Sequence, residues 1–239
     1  MTIQAEERLS DSPFVESITR GVTLSDGTTI RPAESHWHMV FTKVNGLEVP
    51  LVVGPLTTAG IATWGEDAEI LWIKFKPGTF IPHMPAKNFL DKETILPEAA
   101  SHSFWLKGSA WEFPNFENAD TFIDRLVRKE ILVRDPIVNA VLGGEPQNAA
   151  DRTVRHRFIQ STGLTHNHIQ QIERAQRAAA LLRHGKSILD TTFELGYYDQ
   201  PHLTKSLKQW VGHTPAQIVQ QYQESQLATV KDETLIVPG

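Results

Sequence analysis

The stretch 195–218, LGYYDQPHLTKSLKQWVGHTPAQI, alternates signals that start and stop helices at short intervals. Asp199 is a preferred helix N-cap, and Pro201 is tolerated in the first turn of the helix that follows. Gly212 suits a left-handed C-terminal cap, and Thr214 with the proline after it opens another helix. This punctuation predicts three helices joined by two turns.

Length and composition limit the protein that can carry this stretch. A chain of 239 residues can form one large domain or two small ones. The chain has no Cys, which excludes disulfides, thiolate zinc sites and cysteine nucleophiles. The N-terminus is acidic, and no window reaches the roughly 18 apolar residues of a membrane span. We therefore expect a cytoplasmic protein without a membrane partner.

Charge is unevenly distributed along the chain. The net charge of -5 by itself argues against a nucleic-acid binder. Residues 1–150, however, hold 13 Lys and Arg against 20 Asp and Glu, whereas residues 151–221 hold 9 against 5. Residues 222–239 hold 1 against 3. An acidic body with one basic segment is expected of a regulator that meets phosphate through one face.

The first half of the chain has the pattern of short strands, from about residue 22 to 106. The stretches 38–44, 47–53 and 69–75 are rich in Val, Ile, Phe and Trp, and the third alternates apolar and polar residues. Asn45-Gly46 between the first two is a strong hairpin signal. We predict a small antiparallel sheet or barrel, of which a cupin-like domain is one form.

From Asp120 onward the hydrophobic period becomes helical. The predicted helices begin at Asp120, Pro136, Asp151, Thr165, Ser187, Gln200 and Thr214. The fold class is therefore α+β, with a β-rich domain followed by an all-α domain of about seven helices. We predict a β-rich sensing or dimerisation domain over 1–115, a helical DNA-binding domain over 119–221, and a flexible tail over 222–239.

Among the seven predicted helices, two pairs of consecutive helices have the order of a helix-turn-helix unit. In such a unit the second helix projects its outer face and fits the major groove of DNA. The outward side chains are base-edge or phosphate donors, and an Arg, Lys or Gln contact discriminates against a wrong base by about 1–3 kcal/mol. The candidate DNA-binding residues are Arg152, Arg155, His156, Gln200, His202, Thr204, Lys205 and Lys208.

The long helix between the two units sets their predicted spacing. About 18 residues at roughly 1.5 Å each give about 27 Å. With its flanking turns, such a helix can hold the two outer faces close to one DNA turn apart, about 34 Å. One chain is therefore expected to read two successive major grooves on one side of a duplex. A solvated helix surface of ordinary composition is the alternative.

The helical part resembles the DNA-binding domain of the AraC/XylS transcription regulators. The motifs that carry the resemblance are RTVRHRFIQSTGLT (152–165), RAAALL (177–182), GKSI (185–188), LGYYDQPHL (195–203) and GHTP (212–215). The resemblance implies seven helices, two helix-turn-helix units, a linker helix, and an N-terminal domain that senses a ligand or mediates dimerisation. It implies double-stranded DNA and RNA polymerase as partners, a homodimer, and activation rather than repression.

Positions carried over from the resemblance agree with the outward faces. Arg152, Arg155 and His156 fall where the family's first unit reads bases, and Gln200, His202 and Lys205 fall where the second does. The first unit departs from the family pattern, because Ala150 stands where a Ser cap is usual and the connection 143–150 is long. We therefore expect the first unit to dock more loosely than the second.

The N-terminal half holds most of the aromatic residues. Core packing is the ordinary role of so many Trp side chains, but some could line a small-molecule effector pocket. The candidates for such a pocket are Trp37, Trp64, Trp72 and Trp105.

Three histidines of this half are similar in pattern to a cupin metal site. The spacings around His36, His38 and His83 do not fit that site, and no acidic ligand is placed. A structural or surface role is therefore favoured, and no metal, cofactor or catalytic residue is expected.

We expect a sequence-specific transcription regulator that is not an enzyme. The alternative is a metal-dependent cupin-like enzyme carried on a DNA-binding module.

Overall fold

The computed structural model describes residues 3–100, 102–146 and 148–234, and of residues 225–234 it describes the backbone alone. Its strands are β1 (Ile3–Leu9), β2 (Val15–Thr23), β3 (Gly27–Arg31), β4 (His38–Val44), β5 (Leu47–Val53), β6 (Gly60–Trp64), β7 (Glu69–Phe75), β8 (Thr79–Phe80), β9 (Glu93–Ile95), β10 (Glu98–Ala100), β11 (Ser103–Leu106), β12 (Ser109–Glu112) and β13 (Val133–Arg134). Its helices are α1 (Ala119–Arg128), α2 (Pro136–Leu142), α3 (Asp151–Thr162), α4 (His166–Arg183), α5 (Ile188–Glu194), α6 (Gln200–Trp210) and α7 (Pro215–Thr234). The predicted α+β class, with a β-rich part followed by seven helices, is confirmed within these described residues.

The main sheet has the strand order β1-β2-β7-β4-β5-β9, and each neighbouring pair is antiparallel. Strands β4, β5 and β7 have the bounds predicted from their hydrophobic pattern. Asn45 and Gly46 join β4 to β5 with φ angles of 51° and 81°, as a two-residue hairpin of type I′ requires. Smaller sheets pair β10 with β11 and β12, β8 with β13, and β3 with β6.

Strands β1 and β2 lie mostly before residue 22, where the predicted extended region begins. Strand β1 lies at the edge of the sheet and most of its side chains are exposed, so it lacks the apolar alternation of a half-buried strand. Strand β2 buries Ser17 and Thr23 beside Val15 and Ile18, so polar residues interrupt its apolar pattern. Neither strand therefore gives a clear hydrophobic signal.

The described chain divides into two compact structural units. They are called unit 1 and unit 2 below and differ from the two predicted helix-turn-helix units. Unit 1 consists of residues 1–29, 34–57 and 61–166, and its core includes Trp37, Phe75, Phe104 and Leu126. It therefore contains the main sheet and helices α1 to α3. The predicted domain limits at 115 and 119 fall inside this unit, and they stay a prediction.

Unit 2 consists of residues 30–33, 58–60 and 167–239. Its core is formed by apolar residues of α4, α6 and α7 together with Tyr197, and it includes Leu182, Leu203, Leu207 and Ile218. Helix α7 continues to Thr234, into the segment predicted to be a tail. The flexibility of that segment stays a prediction, and residues 235–239 lie outside the described residues.

Candidate nucleic-acid interface

The second helix pair, α5 and α6, lies in unit 2 and has side-chain caps at both N-termini. Ser187 Oγ accepts a hydrogen bond from the backbone N–H of Asp190 at 3.0 Å, which begins α5. Asp199 Oδ1 accepts from the backbone N–H of His202 at 2.8 Å, and Pro201 lies in the first turn of α6. Each cap satisfies a donor that the helix itself leaves unpaired. The start signals in the sequence therefore have the predicted structural effect.

Packing fixes which side of α6 faces outward. Leu203 and Leu207 are fully buried, and Ser206 is buried with its Oγ 3.0 Å from the hydroxyl of Tyr197. The predicted DNA-binding residues lie on the remaining surface, where Thr204 is half-buried and four are exposed: Gln200, His202, Lys205 and Lys208. Helix α6 therefore presents amide, imidazole and ammonium donors on one exposed surface.

The imidazole of His202 is partly engaged by the turn before α6. Its Nδ1 accepts from the backbone N–H of Tyr198 at 3.4 Å, and its ring lies edge-on to Tyr197 with centroids 5.2 Å apart. In the neutral ring the proton is therefore on Nε2, which is the nitrogen left to donate to a base or phosphate.

The first helix pair, α2 and α3, lies in unit 1. Asp135 is buried and its Oδ1 accepts from the backbone N–H groups of Ile137 at 2.9 Å and Val138 at 3.1 Å, which caps α2. Helix α3 begins after Ala150, which makes no side-chain cap, and ends at Gly163 in the left-handed conformation with φ of 71°. Helices α3 and α6 thus differ at their N-termini, as the sequence indicates.

The outer surface of α3 has more donors than the sequence analysis identified. The predicted residues Arg152, Arg155 and His156 are all exposed. A shallow depression on α3 is lined by Arg152, Thr153, His156, Arg157 and Gln160. Arg155 lies outside it. Because an α-helix turns by about 100° per residue, the spacings 152–156, 153–157 and 156–160 indicate one face, and this period could have identified the missed residues.

Arg157 connects the two helices of the first pair. Its Nη1 lies 3.6 Å from Oδ2 of Asp135, the buried cap of α2, while its side chain is 46% exposed. The same guanidinium is therefore close to the cap and accessible to a phosphate.

The four predicted pocket tryptophans do not share one environment. Trp37 is fully buried in the core of unit 1, and Trp105 is 44% exposed. Trp64 and Trp72 are half-buried. None of the four lines the cavity of about 720 Å³ on the main sheet.

That cavity lies between β1, β2, β4, β5, β7 and the segment 113–117. Cross-strand pairs place Arg20 beside Leu71 and Leu71 beside Phe41, so these three side chains occupy one face of the sheet. Phe113 and Phe116 close the opposite side. The cavity lining therefore combines apolar side chains with charged ones, among them Arg20.

His38 is held between an indole and a carboxylate. The Nε1–H of Trp72 donates to Nδ1 of His38 at 2.7 Å, and Nε2 of His38 lies 2.9 Å from Oε1 of Glu34. Burial raises the pKa of Glu34, but the hydrogen bond with His38 and the nearby charges outweigh it and lower the pKa to about 2. Glu34 is therefore a carboxylate at neutral pH.

His36 lies beside the same carboxylate. Its Nε2 is 3.3 Å from Glu16 and its Nδ1 is 3.7 Å from Glu34. Burial lowers the pKa of His36 to about 3, and the charge of Lys74 acts in the same direction. Within residues 3–100, 102–146 and 148–234, no group of three or more His, Asp or Glu is arranged to hold a metal ion.

In the part of the chain that the structure describes, no helix is both long and apolar enough to cross a membrane.

Comparison with known proteins identifies the helical region. Residues 148–221 match the model of a helix-turn-helix domain, and this domain is of the AraC type, so the resemblance to AraC/XylS regulators is confirmed for this region. No curated protein matches the chain.

The chain is also similar to solved structures of ToxT from Vibrio cholerae. One has a TM-score of 0.38 and 9% identity over 92% of this chain and 98% of that one. A second, ToxT from Vibrio cholerae O395 bound to (E)-4-(8-methylnaphthalen-1-yl)but-3-enoic acid, has a TM-score of 0.40 and 8% identity over 93% and 100%. Similarity at this level carries no argument about function.

Proposed function

We propose that this chain, whose residues 148–221 are an AraC-type helix-turn-helix domain, is a sequence-specific DNA-binding transcription regulator that inserts α3 and α6 into successive major grooves. The observation that carries the proposal is the surface of α6. A capped helix within the matched region exposes Gln200, Lys205 and Lys208 beside a buried apolar face. Such a helix has the diameter and the donors that the major groove accepts.

Each predicted DNA-binding side chain has a role in this proposal. Arg152 and Lys205 donate to guanine O6 and N7, and Gln200 pairs with adenine. Arg155, His156 and His202 donate to base edges or phosphates. Thr204 and Lys208 contact the phosphate backbone, which fixes the register without reading sequence. Helix α4 has 18 residues, about 27 Å, which supports a spacing near one DNA turn.

Selection of bound sequences from random duplexes by the full chain tests this function. We expect a defined site, bound at physiological salt at least about 10³-fold more tightly than a scrambled duplex. Affinity should fall steeply with salt, because each neutralised phosphate releases counterions. No preference between the selected and scrambled duplexes would contradict the proposal.

Substitutions distinguish base reading from general attraction. Arg152→Ala and Lys205→Ala should lower affinity for the selected duplex far more than affinity for the scrambled one. Lys87→Ala is the matched control, because Lys87 is exposed and lies outside both helix pairs. Equal losses on both duplexes would remove the base-reading roles.

A small-molecule effector is part of the same proposal, and the cavity on the main sheet is its site. Its volume of about 720 Å³ is within the range of ligand pockets, and Phe41 and Leu71 on the sheet face Phe113 across it, so that apolar side chains line both sides. A compound that binds there should raise the unfolding temperature of the natural protein. It should not do so for Lys43→Trp, because residue 43 lines the cavity on the same face of β4 as Phe41 and the larger ring would fill it, and an equal rise in both proteins would exclude this site.

The remaining partners complete the proposal. The regulator acts in the cytoplasm as an activator, contacts RNA polymerase, and forms a homodimer.

A further inference from the structure

The last carbonyl groups of an α-helix have no partner within the helix, so each recognition helix needs outside donors at its C-terminus. Helix α3 ends at Thr162 and helix α6 at Trp210. The backbone N–H of Gly163 donates to the carbonyl of Ile159, and the N–H groups of Val211 and Gly212 both donate to the carbonyl of Leu207. Other carbonyls in the last turns of α3 and α6 accept hydrogen bonds from residues in the first half of the chain.

In unit 1, that donor is a tryptophan. The Nε1–H of Trp37 donates to the carbonyl oxygen of Ser161 at 2.8 Å, across 124 positions of sequence. Trp37 is fully buried and its ring packs against Phe89, with centroids 5.8 Å apart. The indole therefore has one orientation, and its single donor is directed at the end of α3.

In unit 2, the donors are two backbone amides. The N–H of Ala33 donates to the carbonyl of Trp210 at 2.8 Å, and the N–H of Ala59 donates to the carbonyl of Gln209 at 2.9 Å. Ala33 is itself held from the other side, because Nε2 of Gln176 on α4 donates to its carbonyl at 2.7 Å. The last turn of α6 is thus hydrogen-bonded to the segments 30–33 and 58–60.

Gly212 permits this close approach. It has φ of +84°, and a Cβ at this position would lie 2.3 Å from Cγ2 of Ile30 and 3.3 Å from Cβ of Ala59. Glycine is therefore required here for two reasons. The backbone is left-handed, and the segments 30–33 and 58–60 occupy the space that a side chain would need.

We propose that Trp37 is a positioning residue for α3, and that the backbone N–H groups of Ala33 and Ala59 position α6 for DNA reading. These residues touch no DNA in this account. They act by fixing the end of each helix, so that its outer donors reach the bases in one register. This inference rests on the proposed function, and it goes beyond it by assigning DNA reading to residues of the first half of the chain.

The test uses the full chain and the selected duplex. Arg152→Ala and Lys205→Ala first identify which half-site each helix reads. Trp37→Phe removes the donor and keeps an aromatic ring, and Ala59→Pro removes the N–H. Ala59→Gly keeps the N–H and is the matched control. Gln176→Ala is a second, milder variant for α6, because Gln176 is half-buried.

Each variant should weaken one half-site. We expect Trp37→Phe to weaken binding about 3- to 10-fold on a duplex that keeps only the α3 half-site, with little change on the α6 half-site. Ala59→Pro and Gln176→Ala should do the reverse, while Ala59→Gly should behave as the natural protein does. Equal weakening of both half-sites, or no weakening by any variant, would overturn the inference.

Hydrogen exchange provides a readout without DNA. The amides of the last turn of α6 should exchange faster in Ala59→Pro and those of α3 should not, whereas Trp37→Phe should speed exchange in α3 alone. Unchanged exchange in both helices would overturn the positioning roles. If the natural protein shows no sequence preference, the proposed function fails instead, and the exchange measurement still decides whether these groups hold the helices.

Discussion

The second helix of each pair exposes basic and polar side chains, but the two helices are held differently. In the second pair, Asp199 caps the N-terminus of α6 and two backbone amides serve its C-terminus. In the first pair, α3 begins after Ala150 without a side-chain cap, and the indole of Trp37 serves its end. Helix α6 is therefore fixed at both ends, whereas α3 is fixed only at its C-terminal end. We expect the second pair to contribute more binding energy, because less entropy is lost when α6 docks.

The largest expected effect is loss of a base contact from α6. Lys205→Ala should lower specific affinity by about 1–3 kcal/mol. Arg152→Ala on α3 should cost less, because an uncapped helix holds its side chains less firmly. Titration of each variant with the selected duplex, followed by fluorescence anisotropy, measures both losses. A larger loss for Arg152→Ala would reverse the comparison.

Lowering the pH should reduce the folding stability of unit 1, which contains α3. The pKa of His36 in the folded protein is about 3 against an ordinary value of 6.5. The unfolded chain therefore takes up a proton as pH falls through 6.5, whereas the folded chain does not until about pH 3. Stability is lost progressively over that window, by at most about 2 kcal/mol between pH 7 and 5. Denaturant unfolding at several pH values measures the loss.

His36→Gln is the control for this pH dependence, since it removes the titrating group and keeps a polar side chain. It should flatten the dependence between pH 7 and 5. Glu34, whose pKa is about 2 against 4.5, should add a further loss only below about pH 4.5. An equally steep dependence in His36→Gln would contradict the role of this histidine.

A smaller effect is expected from removing the cap that the second pair has. Asp199→Ala should reduce stability by about 1 kcal/mol, because the N–H of His202 loses its acceptor. Asp199→Asn keeps a side-chain oxygen and should retain most of the stability. Thermal unfolding measures the stability of both variants. Equal losses of stability would show that the charge of Asp199, and not its capping hydrogen bond, is responsible.

The smallest effect is expected from giving the first pair the cap that it lacks. Ala150 has φ of -61° and ψ of 145°, which is the extended conformation of an N-cap. Ala150→Ser should therefore stabilise the protein by about 0.5–1 kcal/mol and tighten binding at the α3 half-site. Ala149→Ser, one position outside the cap, is the matched control. If Ala150→Ser fails to raise the unfolding temperature above that of this control, the missing cap does not explain the difference between the pairs.

The sequence predicts local features of this fold well. Strands such as 69–75 and caps such as Asp199 depend on neighbouring residues, and they appear where the hydrophobic period and the capping rules place them. An edge strand such as 3–9 buries few side chains, so its pattern carries little information.

Features that join distant parts of the chain are not predicted. The sequence offers Trp37 as one of four candidates for lining a ligand pocket, and nothing in it indicates that the buried indole donates to Ser161. The donors from Ala33 and Ala59 are backbone amides, which every residue except proline has, so no residue type marks them. Their role depends on contacts formed only in the folded chain.

If one chain reads two successive major grooves, its affinity must depend on the spacing between the two half-sites. The full chain is titrated with the selected duplex and with a duplex that has about 5 extra base pairs between the half-sites, which is half a helical turn. Affinity for the lengthened duplex should fall to that of a single half-site, because the second groove then faces away from the protein. Unchanged affinity for the lengthened duplex would contradict the reading of two grooves by one chain.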